Sequence, residues 1–127
     1  MKKLLELFLT FAKVGLFTIG GGYAMLAIIE DTVVSQKKWM THEEMMELLV
    51  IAESTPGPIA INAATFVGHQ TRGFAGAVAA TLGVVLPSFV TIFVIFHILQ
   101  AFRDAKAVQY AFNGIRVGVL VLLIKAL

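Results

Sequence analysis

Long apolar stretches divided by short polar ones set the outline of this chain. The first runs from Leu4 to Ile29, interrupted by Lys13 and by the triplet Gly20-Gly21-Gly22. About 20 helical residues cross a hydrocarbon layer, so this stretch has the length of a span. Three consecutive glycines weaken a helix by about 1 kcal/mol each against alanine and predict a break there. Two uses of that break stay open: a discontinuous helix with free amides facing a substrate, or close packing of neighbouring helices. From Glu30 to Glu47 the chain turns polar, as a loop at a membrane surface does, and Trp39 suits that boundary. Within it Thr41-His42-Glu43-Glu44 has the form of a capping box, which predicts a helix start and a continuation through Met45, Leu48 and Ile51 to Glu53.

The pattern then does something unusual. Ala52-Glu53-Ser54-Thr55-Pro56-Gly57-Pro58-Ile59-Ala60-Ile61-Asn62 places a carboxylate, two hydroxyls and two prolines amid apolar sequence. Hydrocarbon tolerates such groups only inside protein or along a wet cavity. Pro56 and Pro58 lack backbone donors, so the incoming helix should stop near Thr55 and a new one start at Pro58, with Gly57 as hinge. The new N-terminus offers free amides and partial positive charge, a setting for an anion, with Ser54, Thr55 and Asn62 as further hydrogen-bonding groups. The plainer alternative is a proline kink whose hydroxyls bond back to the backbone.

Beyond Asn62, His69-Gln70-Thr71-Arg72-Gly73 reads as a short polar connection, followed by the uncharged run from Gly73 to Phe102 with Pro87 at its middle. That run, roughly 45 Å if wholly helical, exceeds one hydrocarbon thickness. Two forms are open, one long kinked and tilted helix or two legs turning near Pro87-Ser88, and the two-legged form is the expectation. Ala75, Ala79 and Gly83 recur at four-residue spacing with Gly76 and Ala80 beside them, a pattern that lets helices approach closely. Arg103-Asp104-Ala105-Lys106 is a second surface loop. The last apolar run, Val117 to Leu127, is short for a crossing unless residues 107–113 belong to it.

Composition sharpens the class. At 58% hydrophobic and 14% charged, 127 residues carry more apolar side chains than one small soluble core buries. The chain is expected to be an all-α, polytopic integral membrane protein with broken or re-entrant helices around Gly20–Gly22, Pro56–Pro58 and Pro87. The ten basic residues are scattered, which leaves no stripe for a nucleic-acid partner. With no cysteine, thiol chemistry is absent. His97 has no second histidine or carboxylate at ligand spacing, so no metal and no cofactor are expected. No nucleophile motif or His-carboxylate cluster points to an enzyme.

Several of these motifs occur together in one family. Phe17-Thr18-Ile19-Gly20-Gly21-Gly22-Tyr23-Ala24-Met25, Trp39 before an acidic helix start, the Ala52–Asn62 stretch, Phe66-Val67-Gly68, Gly73 with Gly76-Ala77, Ala80-Thr81-Leu82-Gly83-Val84-Val85-Leu86-Pro87-Ser88-Phe89 and Phe112-Asn113-Gly114-Ile115-Arg116 resemble, in order, the chromate ion transporter family. The resemblance implies a multi-pass protein of the bacterial inner (plasma) membrane that exports chromate from the cytoplasm, or moves the isosteric sulfate, as a secondary transporter. It is similar to the short members of that family. The family's domain continues with more apolar sequence, so residues 1–127 are expected to form a single such domain lacking C-terminal segments.

A tetrahedral dianion requires several donors and positive charge. Backbone amides at Gly20, Gly21, Gly22 and Gly57 to Ala60 are candidate donors, with Ser54, Thr55 and Asn62 beside them, and Lys13, Arg72 and Arg116 as candidate charges. Glu53 is the candidate proton-coupling group, since it repels the anion only when ionised. Basic residues divide almost evenly among Lys2-Lys3, Lys37-Lys38, Arg72 and Arg103 with Lys106, which gives little orientation bias. One such domain is small for a two-gated pathway, so an antiparallel dimer is expected, of identical chains or with a related chain, in the manner of inverted repeats. A passive anion channel and a non-transporting structural subunit of a heteromeric complex are the alternatives.

Overall fold

The computed structural model describes residues 1–18 and 21–127, and every element among them is helical. In order these are α1 (Lys2–Phe17), α2 (Gly22–Glu30) continued by a π-helical turn (Asp31–Gln36), α3 (His42–Ser54), α4 (Ile59–Ala101) and α5 (Lys106–Ala126). They divide into two compact units, Met1–Val90 and Thr91–Leu127.

The first unit is built from reversals. Leu4 to Ile29, long enough for one span and expected to break at its glycines, is two helices: α1 stops at Phe17 and α2 starts at Gly22, after Gly21 at φ +103°. Glycine adopts that backbone without the steric cost a side chain would add. The ammonium of Lys37, just after the π turn, lies 2.7 Å from Glu6 near the start of α1, so the chain has folded back along its own first helix. The expected loop from Glu30 is correspondingly shorter, because helix continues to Gln36 before the turn at Lys37–Met40. Trp39 sits there half-buried against the core. The capping box forms as expected: the Thr41 amide donates to Glu44 Oε2 at 2.7 Å and the Glu44 amide to Thr41 Oγ1 at 3.2 Å.

Pro87 is not a turn. Helix passes through it; the chain reverses at Arg72 (φ −148°, ψ 22°) and Gly73 (φ 63°, ψ −152°), at the end of the polar connection expected over His69–Gly73, and these divide α4 into arms 59–71 and 74–101. A proline removes one hydrogen bond and bends a helix locally. A full reversal requires a conformation that side chains exclude, and Gly73 supplies it. The arms then meet backbone to backbone: a Cβ placed on Gly68 or on Gly76 would collide with the other's carbonyl oxygen. The hydroxyls of Thr65 and Thr81 bridge the same seam at 2.7 Å. The outgoing arm is approached a little less closely by α1, since a Cβ on Gly83 would fall 2.6 Å from the Phe8 carbonyl oxygen and one on Gly15 2.7 Å from that of Val84. Small residues thus let three helical segments pack at backbone distance, which is how helices associate where lipid gives no hydrophobic drive.

Around these contacts lies one core. Leu7, Phe11 and Val14 of α1, Leu26, Ile29 and Val33 of α2 and its continuation, and Met45, Leu48 and Ala52 of α3 are buried at helical spacing, with Ala63, Ala64 and Val67 of the first α4 arm. The second unit differs. Its α5 has no buried residue and exposes Ile115, Leu120, Leu123 and Ile124. Residues 107–113 do belong to this helix, whose 21 residues, about 31 Å, match a hydrocarbon thickness. Ile59–Ala101 and Lys106–Ala126 are the helices long and apolar enough to cross a membrane among the described residues.

Candidate functional site

Most of the residues singled out from sequence gather where α3 ends and α4 begins. α3 closes at Ser54, Thr55 is extended (φ −87°, ψ 126°), Gly57 takes φ +139°, and helix resumes at Ile59. In one continuous helix, residues 52 and 62 would be about 15 Å apart. Here Asn62 Nδ2 donates to the carbonyl of Ala52 at 3.2 Å and to that of Thr55 at 3.0 Å. The prolines therefore make a hairpin and not a kink, and Asn62 is its clasp, covering carbonyls that the end of α3 leaves without helical donors.

The polar groups at this turn have defined partners. Ser54 Oγ donates to Val50 O at 2.8 Å and Thr55 Oγ1 to Ile51 O at 2.7 Å, so both hydroxyls bond back to their own helix. Both amide protons of Asn62 are likewise engaged. Open donors come from the backbone instead. The amides of Ile61 and Asn62 bond to Pro58 O, each at 3.0 Å, while those of Gly57, Ile59 and Ala60 take no hydrogen-bond partner among the described residues. They stand at the N-terminus of the 59–71 arm, where the helix dipole favours negative charge. Glu53 is exposed on the last turn of α3 and makes no ion pair among the described residues.

Other candidates lie elsewhere. Gly20 is outside the described residues, while a Cβ built on Gly21 or Gly22 would meet nothing within 4 Å among the described residues beyond its chain neighbours. Lys13 lines a groove of about 640 Å³ between α1 and α2 with its continuation. Arg72 is at the reversal of α4. Arg116 lines a groove of about 620 Å³ within the second unit, with Arg103, Gln109 and Asn113. Pro87 lies inside helix, away from any break. No group of three or more acidic or histidine side chains placed to hold a metal occurs among the described residues.

Sequence reasoning missed the clasp. From sequence Asn62 reads as a substrate donor beside a helix start, yet an amide four residues beyond Pro58 is also placed to reach back over a hairpin. The doubled proline was the available signal, since Pro-Gly-Pro permits a tighter return than a single proline does.

Comparison with known proteins gives a consistent result. A family model described as "Chromate transporter" matches residues 5–127. The Bacillus subtilis protein named "Uncharacterized transporter YwrA" is 31% identical over 103 residues, covering 81% of this chain and 58% of that protein. The "Chromate transport protein" of Pseudomonas aeruginosa is 34% identical over 116 residues, 91% of this chain and 27% of its own length. The "Probable chromate transport protein" of Synechococcus elongatus is 28% identical over 120 residues, 94% of this chain and 30% of its own. The chain thus spans 58% or less of the length of these relatives. No solved structure matches it.

Proposed function

This chain belongs to the chromate transporter family, and from that premise we propose that it moves a tetrahedral oxyanion across the bacterial inner membrane. Chromate is the first candidate and sulfate its isostere, with export from the cytoplasm as the direction. The observation that carries the reading is the Pro56–Pro58 hairpin. Its legs, α3 and the 59–71 arm, are about 20 Å each, short of a hydrocarbon thickness of about 30 Å. A hairpin of that length inserted as a re-entrant pair ends inside the membrane, and its tip presents the amides of Gly57, Ile59 and Ala60. Helix termini aimed at a midplane site are a recurrent way for transporters to hold an anion.

In this scheme the amides take the first oxygens of the dianion. Ser54 and Thr55 rotate their hydroxyls from Val50 and Ile51 toward it, Asn62 holds the turn, and Gly20–Gly22 contribute amides from the other break. Glu53, beside the tip, couples transport to protons: ionised it repels the dianion, protonated it admits it. Two copies, or this chain and a related one, pair antiparallel so that one hairpin enters from each face. The even spread of basic residues along the chain is compatible with insertion in both orientations.

The test is chromate and sulfate flux into proteoliposomes containing the purified protein, with Glu53→Gln alongside. Saturable flux that depends on pH in the wild type and loses that dependence in Glu53→Gln is the expected result. Flux that does not saturate and ignores pH would make the protein a passive channel. A folded wild type that carries neither anion would leave a structural subunit as the better reading.

A further inference from the structure

The groove between α1 and the α2 continuation contains a polar cluster that the hairpin reading does not use. Its walls include Glu6, Thr10, Lys13, Thr32, Gln36 and Lys37. Spacing explains the α1 side: residues 6, 10 and 13 fall on one helical face at intervals of four and three. The opposite wall is the π-helical turn, closed by the Lys37 amide donating to Thr32 O at 2.9 Å. Its wider ring turns Thr32, Gln36 and Lys37 toward α1. Such insertions are rare in helices and concentrate at functional sites.

The charges sort themselves. Lys37 is held by Glu6 at 2.7 Å and lies 5.9 Å from the centre of the Trp39 ring, so this cation and the one carboxylate in the groove satisfy each other. Gln36 donates to Asp31 Oδ2 at 2.8 Å. Lys13 is left as a cation with no ion pair among the described residues. Thr10 is 8% exposed, and its hydroxyl has no hydrogen-bond partner among the described residues. Among the described residues no fully enclosed side-chain polar atom lacks a partner, so the Thr10 hydroxyl keeps its access through the groove that it lines. A nearly buried, unpartnered hydroxyl one helical turn from an unpaired ammonium is a donor pair without an acceptor.

We infer that this groove is a second anion site, in which the Lys13 ammonium supplies the charge and the Thr10 and Thr32 hydroxyls the neutral donors for a tetrahedral oxyanion. It rests on the proposed function only for the identity of the anion. It also supplies a full positive charge, which the amides of the Pro56–Pro58 tip do not. Among the side chains that line the groove, Glu6 is offset by Lys37 and Lys13 leaves one net positive charge, while the Asp31 carboxylate bound to Gln36 lies outside the lining. A dianion is therefore held less tightly than by two cations, as a site that loads and releases requires.

The experiment measures radiolabelled sulfate binding to the purified full chain in detergent. Lys13→Gln should raise the dissociation constant roughly tenfold, the scale for losing a charged hydrogen bond, and Thr10→Val by a smaller factor. Lys13→Arg, which keeps the charge, should recover most of the binding. A measurement on unaltered protein guards against misfolded variants: sulfate should slow amine acylation of Lys13, read by mass spectrometry, without slowing that of exposed Lys38. Wild-type affinity in Lys13→Gln, or equal acylation of Lys13 with and without sulfate, overturns the site. Protection of Lys13 without any flux in proteoliposomes would keep the site and defeat transport. Flux with no protection and no Lys13 effect would do the reverse.

Discussion

Two hairpins share the 59–71 arm and are closed in opposite ways. Toward α3 an apolar core is shared and the turn is clasped by one polar side chain: Asn62 reaches the carbonyls of Ala52 and Thr55 across a turn whose own amides stay open. Toward 74–101 the closure is steric and continuous, with Gly68 against Gly76, Ala80 beside them and the Thr65–Thr81 bridge behind. A packed backbone seam cannot be loosened by exchanging partners, whereas a side-chain amide can trade one acceptor for another. The lesson is that one arm carries a fixed joint at one end and a releasable one at the other.

Substitutions can break that contrast. The largest effect is expected from Gly76→Leu, because the side chain would enter the space of the Gly68 backbone; overpacking of this kind costs about 3 kcal/mol or more. Thermal unfolding in detergent should show a much lowered midpoint and flux should vanish with it. Gly73→Ala forces a side chain into a backbone region that is nearly exclusive to glycine, at about 2 kcal/mol, again lowering stability and flux together. Asn62→Ala leaves carbonyls at the hairpin uncovered and should cost about 1.5 kcal/mol. Its signature is different: flux should fall further than stability, because the tip loses its shape while the seam remains. The smallest change is Thr81→Val, about 0.6 kcal/mol, the average for a hydrogen bond between membrane helices. If Asn62→Ala and Gly73→Ala reduced stability and flux in the same proportion, the two closures would not differ in function.

Much of this architecture was legible in the residues. The capping box at Thr41–Glu44 and the stop at Thr55 follow from local chemistry that needs no neighbour: a hydroxyl and a carboxylate at fixed spacing, and prolines without donors. The break before Gly22 belongs to the same class. The reversal at Gly73 falls in the polar connection read at His69–Gly73; the further turn expected at Pro87 does not form, although proline is the louder signal in a long apolar run. Proline acts on one hydrogen bond, while a reversal must also be paid for by contacts across it, and those contacts join Gly68 to Gly76 from opposite sides of the turn. The Gly76–Ala80 pattern was visible, but its partner was not. For the site, the cluster from Glu53 to Asn62 was readable as a group. The role of Asn62 was not, since donating to a ligand and donating to Ala52 O look alike in sequence.

The arrangement of the 59–71 arm also constrains how the Pro56–Pro58 tip can move. An arm pressed against 74–101 along its backbone behaves as a door jamb, and α3, held by apolar side chains, one asparagine and the turn, as the leaf. Displacement at the tip is then carried by α3 swinging from its capped start at Thr41, while the open amides of Ile59 and Ala60 stay where the jamb holds them. Amide exchange should accordingly be faster in residues 48–54 than in residues 63–68, although both helices are equally short.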